Sequence, residues 1–355
     1  MLLILLFGLG LFAPVGAEFR AVAQQSSRLD QDALILFRGL KVQPDQAAFL
    51  VPPGKAQSLA FAVKRSSLEI TILSCRGGMT CRAQGPRLTL ESPQEPGNYF
   101  LEVELEVKED GGNPAYRTSV RLCLLVGFPN SLLVDGEING FELGEYPDHT
   151  KMRNPEYYKP PEYFYYLDYE VIGLWISEHI RLGDLGYDGR APIPQFFALD
   201  YELVIKLEAL IAELRARGLP SRLHFIGGGF ISPKSNQLRT AGNKAAASLS
   251  RHLWGEAVDF IIDEDPRDGI MDDMNGDGVI DVRDALVVRD VITDLEESGR
   301  VKPGGVGVYA PPRNRRVQLH VDVRGYPTRW GVQEYDPEEF AGVPPQRSLR
   351  PGGKK

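Results

Sequence analysis

The chain is poor in cysteine: 3 in 355 residues are too few for a disulfide framework. Cys75 and Cys81 flank Arg-Gly-Gly-Met-Thr, a turn-like stretch able to bring them together, and an exported protein would let the bridge persist. Cys123 lies in the apolar run Val120 to Val126 and reads as a buried thiol, because a reactive cysteine needs an electropositive, partly exposed setting. Basic charge is not in excess either. With 40 Lys and Arg against 48 Asp and Glu, there is no electrostatic footprint for nucleic acid. The apolar run Leu2 to Val15 is too short to span a bilayer comfortably and has no Lys or Arg before it. It leads into Val15-Gly16-Ala17 and Ala21-Val22-Ala23, either of which suits a signal peptidase. Residues 1–23 are therefore expected to be a signal peptide, with export to the periplasm or extracellular space; the alternative is a buried N-terminal strand.

What is present is an ordinary globular composition, 43% hydrophobic and 25% charged, on a chain long enough for two or more domains. Between residues 30 and 128 the apolar period is two. Leu101, Val103, Leu105 and Val107 alternate with Glu102, Glu104, Glu106 and Lys108, which gives one strand an apolar and a charged face. Leu68, Ile70 and Ile72 repeat the pattern, as do Val120, Leu122, Leu124 and Val126, and Pro52-Pro53-Gly54 and Pro96-Gly97 punctuate it. This predicts an all-β, immunoglobulin-like sandwich of antiparallel strands. Residues 129–164, with their glycines and many tyrosines, predict a linker packed on the domain that follows.

That domain runs from 165 to 332, and residues 333–355 are expected to be a disordered tail. Val204, Leu207, Leu210, Ile211 and Leu214 are spaced three and four apart, so Tyr201 to Arg217 is an amphipathic helix stopped by Gly218-Leu219-Pro220. Leu223 to Phe225 reads as a strand, Asn236 to Leu249 as a helix, and Ala257 to Ile262 as a strand presenting Asp259. Val317 to Val323 alternates, which places His320 and Asp322 on one face of a strand. His252, Asp259 and His320 offer two imidazoles and a carboxylate, the mixed set with one open position that a catalytic zinc takes. Asp322 would then lie close by as general base toward the attacking water, while zinc polarises the scissile carbonyl. His149, His179 and His224 read as ordinary hydrogen-bonded residues.

Three segments, in order, resemble the zinc D-Ala-D-Ala carboxypeptidases and murein endopeptidases, a family whose fold is shared by the hedgehog signalling domain. Gly228 to Pro233 resembles its Ser-Gly-Tyr-Arg-Ser-Pro loop. Ser250 to Asp259 matches Ser-x-His-x-x-Gly-x-Ala-x-Asp at every fixed position, and Gly304 to Tyr309 with His320-Val321-Asp322 resembles the closing segment of its endopeptidase-like branch. The resemblance covers roughly residues 165 to 332. It implies an α+β, hedgehog-like domain, a zinc ion and hydrolysis of peptidoglycan stem peptides, with Ser250 helping to shape the substrate site. Two positions depart from the pattern. Ile231 stands where the family has Arg, so a cation for a substrate carboxylate or an oxyanion must come from Arg239 or Arg324. Val317 stands where the carboxypeptidase branch has Glu. Both departures favour an endopeptidase over a D,D-carboxypeptidase. The alternative is a module that binds cell-wall peptides on the same fold without cutting them.

Residues 264–298 form an insert in this domain. Asp273, Asn275, Asp277, Asp281 and Asp284 fall at positions 1, 3, 5, 9 and 12 of an EF-hand loop, with Gly278 at the sharp turn and the Val279 carbonyl at position 7. Ala285, Val288, Ile292 and Leu295 make the following helix amphipathic, and Pro266 and Gly269 interrupt the place of an entering helix. The loop resembles one half of a dockerin. Dockerins bind cohesins through two copies and only one is present, so a structural calcium is expected and a cohesin partner is not.

Overall fold

The structure is a computed structural model and describes residues 33–63, 68–77, 79–109, 114–189, 191–242, 247–311 and 316–336, with 338, 340 and 343 beyond them. The expected signal peptide at 1–23 and most of the expected tail lie outside the described residues.

The alternating residues of the N-terminal part form β1 (Ala33–Phe37), β2 (Leu40–Val42), β3 (Ala47–Val51), β4 (Ala56–Val63), β5 (Leu68–Arg76), β6 (Cys81–Gln84), β7 (Arg87–Glu91), β8 (Gly97–Glu109) and β9 (Pro114–Val126). One sheet has the order β2-β1-β4-β7-β6 and the other β3-β9-β8-β5. In β8 the set Leu101, Val103, Leu105 and Val107 is buried and Glu102 is exposed, as a period of two requires. The pairing is not wholly antiparallel, because β3 runs parallel to β9, with Ala47 opposite Leu122 and Val51 opposite Val126. Cys75 and Cys81 are joined by a disulfide between β5 and β6, and Cys123 is buried.

The next stretch is less of a plain linker than its composition predicts. It contains β10 (Phe128–Pro129), β11 (Glu137–Ile138), β12 (Phe141–Glu142) and β13 (Tyr163–Leu167), and the expected boundary after 164 falls inside β13. After the short helix α1 (Leu182–Gly186), β14 (Gln195–Phe197) completes a small sheet of order β10-β13-β14. Trp175 lies beside β3: its N–H donates to the Gln46 carbonyl at 2.9 Å and its carbonyl accepts from Ala48 N–H at 2.8 Å. The helix α2 (Tyr201–Ala216) is tied to the same strand, since the Tyr201 hydroxyl accepts from Leu50 N–H at 3.1 Å and its ring meets Phe37 at 5.8 Å. N- and C-terminal apolar residues therefore share one continuous core.

β15 (Leu223–Phe225), α3 (Pro233–Gly242), β16 (Ala257–Ile262), α4 (Val282–Glu297), β17 (Gly305–Tyr309), β18 (Gln318–Asp322) and β19 (Thr328–Gly331) complete a mixed α+β arrangement of several sheets and few helices. The last sheet has the order β15-β16-β18-β17-β19, antiparallel apart from β17 with β19. The predicted apolar stripes of α2 and α4 are buried, and the two helices pack on each other, with α4 also against β17 and β18. The helix expected over 236–249 is displaced. Pro233 supplies a first helical residue with preset φ, and the Ser232 hydroxyl caps it by accepting from Ser235 N–H at 3.1 Å, so α3 starts earlier; its described residues run to Gly242, and residues 247–249 are not helical. Among the described residues no helix is long and apolar enough to cross a membrane.

Candidate metal centre

β16 and β18 pair with Asp259 opposite His320 and Ala257 opposite Asp322, so Asp259 and His320 project side by side from one face. His252 arrives from the single turn Arg251–Trp254 just before β16. Gly255 ends that turn at φ 66, a conformation glycine adopts without steric cost, and a Cβ there would overlap the Ala198 carbonyl. The glycine of the motif is thus required both by its backbone angle and by a close approach.

His252 Nε2 lies 3.6 Å from Asp259 Oδ1, and His320 Nδ1 lies 2.8 Å from the same oxygen. The ligand atoms of the three residues are all within 4.8 Å of one another, close enough to chelate one metal ion. Each imidazole uses its other nitrogen behind the site. His252 Nδ1 is 2.6 Å from the Gly229 carbonyl, and donating there leaves the Nε2 lone pair facing Asp259. His320 Nε2 is 3.4 Å from Asp322 Oδ2, which leaves Nδ1 for a metal. Outer partners of this kind fix the tautomer and orientation of metal-binding imidazoles. Burial would raise the Asp259 carboxyl, but the two imidazoles hold it well below the usual carboxylate range. Burial draws His320 down; its hydrogen bonds to Asp259 and Asp322 outweigh this and lift it to about 9.

Asp322 is wholly buried. Its Oδ1 accepts from Gly305 N–H at 2.7 Å and Arg324 Nε at 3.0 Å, and its Oδ2 accepts from Arg324 Nε at 2.9 Å and from Arg324 Nη2. Burial would raise this carboxyl too, but His320 and Arg324 hold it well below its ordinary value. Asp322 thus stands behind His320 with both carboxylate oxygens engaged by Gly305 and Arg324.

The three candidate ligands face a cleft of ≈ 710 Å³ whose walls include Arg239, Ser250, Tyr309, Gln318, Arg324 and Trp330. Both residues expected at the substrate, Ser250 and Arg239, are therefore at the cleft. Ile231 is buried and contributes a backbone N–H to the His252 carbonyl at 3.1 Å, so that position supplies no cation. Tyr309 and Trp330 are additions to the expected site. Trp330 Nε1 donates to the Tyr309 hydroxyl at 2.8 Å, and its ring lies 5.1 Å from that of His320. A Cβ on Gly305 or Gly307 would strike the indole. Gly305 and Gly307 admit Trp330 across β17, and they were the available sequence signal for a bulky neighbour.

Two supports hold this centre. Beneath β18, the fully buried Lys206 donates to the Asp322 carbonyl at 2.8 Å and to Glu296 Oε1 at 2.7 Å, while Glu296 also accepts from Arg329 Nη2 at 2.6 Å and Gly304 N–H at 2.9 Å. In front, the Tyr146 hydroxyl donates to the Leu253 carbonyl at 2.6 Å, Tyr158 meets Trp254 at 5.7 Å, and Arg251 Nη1 donates to the Tyr157 carbonyl at 2.7 Å. Tyrosines of the expected linker thus brace the turn that carries His252.

No ion cage of EF-hand type is evident in the insert. Asp273 accepts from Gly276 and Gly278 N–H, each at 2.8 Å, and Asn275 Oδ1 accepts from Asp277 N–H at 2.9 Å, while Asp277 accepts from Val279 N–H at 2.8 Å. Arg283 pairs with Asp277 at 2.6 Å and with Asp281 at 2.7 Å. Asp284 is buried at the start of α4, where it accepts from Asp281 and Met274 N–H at 2.8 and 2.7 Å; burial, opposed by these bonds, raises it to about 6. Among the described residues, these carboxylates do not converge as His252, Asp259 and His320 do.

No protein-family model and no curated protein matches the chain. Partial similarity exists to a nucleoside hydrolase-related hypothetical protein from Saccharophagus degradans, at 10% identity over 27% of this chain and 26% of that one, with a TM-score of 0.21. A putative alpha-galactosidase from Bacteroides fragilis is 8% identical over 29% of this chain and 20% of its own, with a TM-score of 0.18. The CooA pilin subunit from enterotoxigenic Escherichia coli is 5% identical over 27% of this chain and 98% of its own, with a TM-score of 0.17. This chain spans about a quarter or less of the first two, and likenesses at this level bear on neither fold nor activity.

Proposed function

We propose that this chain is a zinc-dependent peptidase that cuts peptidoglycan stem peptides or cross-links, as an endopeptidase rather than a D,D-carboxypeptidase. The observation that carries this reading is the convergence of His252, Asp259 and His320 within 4.8 Å, with both imidazoles oriented from behind by Gly229 and Asp322. Two imidazoles and one carboxylate with an open position suit zinc, which when bound supplies Lewis acidity to a peptide carbonyl and lowers the pKa of a water. Asp322 orients His320, Tyr309 offers a hydroxyl to the substrate carbonyl, and Ser250 and Arg239 hold the peptide. Endopeptidase action is supported by Ile231, which offers no charge, and by Arg324, whose charge is already matched by Asp322. A cell-wall substrate accords with export through residues 1–23.

One observation favours a second reading, a module that binds cell-wall peptides without cutting them: among the described residues lining the cleft, Asp259 is the sole carboxylate, and Asp322 is enclosed. Purified protein incubated with zinc and cross-linked muropeptides separates the two. New peptide ends in the mass spectrum, lost together with zinc in His252→Ala, support the peptidase. Stoichiometric zinc with cross-linked peptide retained intact selects the binding module.

Calcium in the insert is a further part of the proposal, supported by the ligand spacing and by left-handed Gly276 and Gly278 at φ 74 and 79. Calcium would have to take Asp277 and Asp281 from Arg283.

A further inference from the structure

A second cleft, of ≈ 720 Å³, opens between the start of β8, the β11–β12 hairpin and the strands β13 and β14, and shares no lining residue with the metal centre. One wall is aromatic. The Phe196 ring lies 4.9 Å from Phe128, 5.4 Å from Tyr166 and 6.0 Å from Phe141, and the last two keep part of their surface exposed. Polar groups on Asn98, Asn139 and Asp168 complete the lining. Asn98 Nδ2 donates to the Tyr166 carbonyl at 3.2 Å, which fixes the amide, and its Oδ1 is buried without a protein partner. Asp168 Oδ1 is held by Glu170 and Val171 N–H at 2.8 and 3.1 Å, with Oδ2 3.5 Å from the Asn98 amide nitrogen.

We infer that this cleft binds a neutral saccharide of one or more pyranose rings. A pyranose presents a C–H face that packs on an aromatic wall and equatorial hydroxyls that donate to an acceptor such as the Asp168 carboxylate. The cleft is of a size common to small-ligand sites, about 300–1,000 Å³. Anions are disfavoured. Asp168 and Glu170 line the cleft, and the nearby Arg121 is paired with Glu170 at 2.8 Å and lies 3.9 Å over Phe100. A wholly apolar ligand would displace water from the Asp168 carboxylate without offering it a donor. The inference does not depend on zinc or on peptide cleavage.

Saturation-transfer NMR and calorimetry on the full chain, with tetramers of N-acetylglucosamine and of glucose as probes, test it. At least one oligosaccharide is expected to bind. Phe141→Ala is expected to weaken it about three- to tenfold, the effect of one lost aromatic contact. Asp168→Asn, which keeps an acceptor for Glu170 and Val171 N–H but loses the carboxylate facing the cleft, is expected to weaken it in the same direction, and His252→Ala to leave it unchanged. Absence of transfer from both tetramers, binding untouched by Phe141→Ala and Asp168→Asn, or competition by a sugar-free stem peptide would each overturn the inference. Muropeptide cleavage is read separately, so either proposal can fail while the other stands.

Discussion

Asp322 stands behind His320: its Oδ2 is 3.4 Å from Nε2, while Nδ1 of the same ring is 2.8 Å from Asp259. An outer carboxylate raises ligand basicity and fixes ring orientation, and losing one weakens metal binding by about 10–100-fold. Asp322→Asn should therefore lower zinc affinity by about that factor, with turnover largely restored when zinc is raised to saturation. A general base behaves differently, since its loss leaves zinc bound and removes about 10²–10⁴ of the rate. Zinc affinity by chelator competition, beside rates at saturating zinc, decides between the two roles.

The same pair sets a pH dependence. Without a metal, the His320 imidazole is pushed up from its ordinary 6.5 to about 9, because bonds to Asp259 and Asp322 outweigh the opposing effect of burial. A raised value means that the folded state favours the imidazolium. Its stabilisation is complete below about pH 6.5 and is lost as pH rises through about 9. Asp259 and Asp322 are depressed, so their stabilisation is present above the ordinary value of 3.8 and is lost only on acidification. Zinc requires neutral His320, so its uptake releases a proton and its affinity grows with pH up to about 9. Melting temperatures with and without zinc should diverge between pH 6.5 and 9, the chelated protein falling. Parallel curves would sink this account.

The parts of the site legible in the sequence were those that one strand or helix period displays. Alternation placed His320 and Asp322 on one face of β18, and the apolar stripes gave α2 almost to the residue and the buried face of α4. The same alternation places Arg324 two residues beyond Asp322, so the ion pair that encloses the carboxylate follows from the spacing that suggested a base. Strands such as β10 to β12, two residues each, are too short to show any period. Lys206 on the buried side of α2 finds its partner Glu296 in a helix 90 residues away, a pairing no local pattern reveals.

The insert offers a test of calcium. Arg283 neutralises Asp277 and Asp281, and Asp284 is raised to about 6 chiefly by burial, so a calcium ion would compete with a guanidinium and favour ionised Asp284. Added calcium should raise the melting temperature, EGTA should reverse this, and Asp273→Ala should abolish the response while zinc content stays constant. An unchanged melting temperature in calcium and EGTA would mean that Arg283 alone closes the loop.

Beneath the metal centre, Glu296 holds two cations at once, Lys206 at 2.7 Å and Arg329 at 2.6 Å, with the lysine fully buried. Burial lowers the Lys206 pKa, and the charge of Glu296 opposes that fall. Glu296→Gln leaves the two cations facing each other in a dry site, and breaking a buried pair from one side costs about 3–5 kcal/mol. Glu213 makes comparable bonds to Arg217 and Arg300, but those arginines are solvent-exposed, and loss of such pairs costs at most about 1 kcal/mol. Urea unfolding of Glu296→Gln and Glu213→Gln should therefore differ by several-fold in lost stability. The first should also weaken zinc, because Lys206 grips the Asp322 carbonyl and Glu296 holds Gly304 N–H, the two chain segments that set His320 in place. Equal losses in the two variants would show that the network does not support the site.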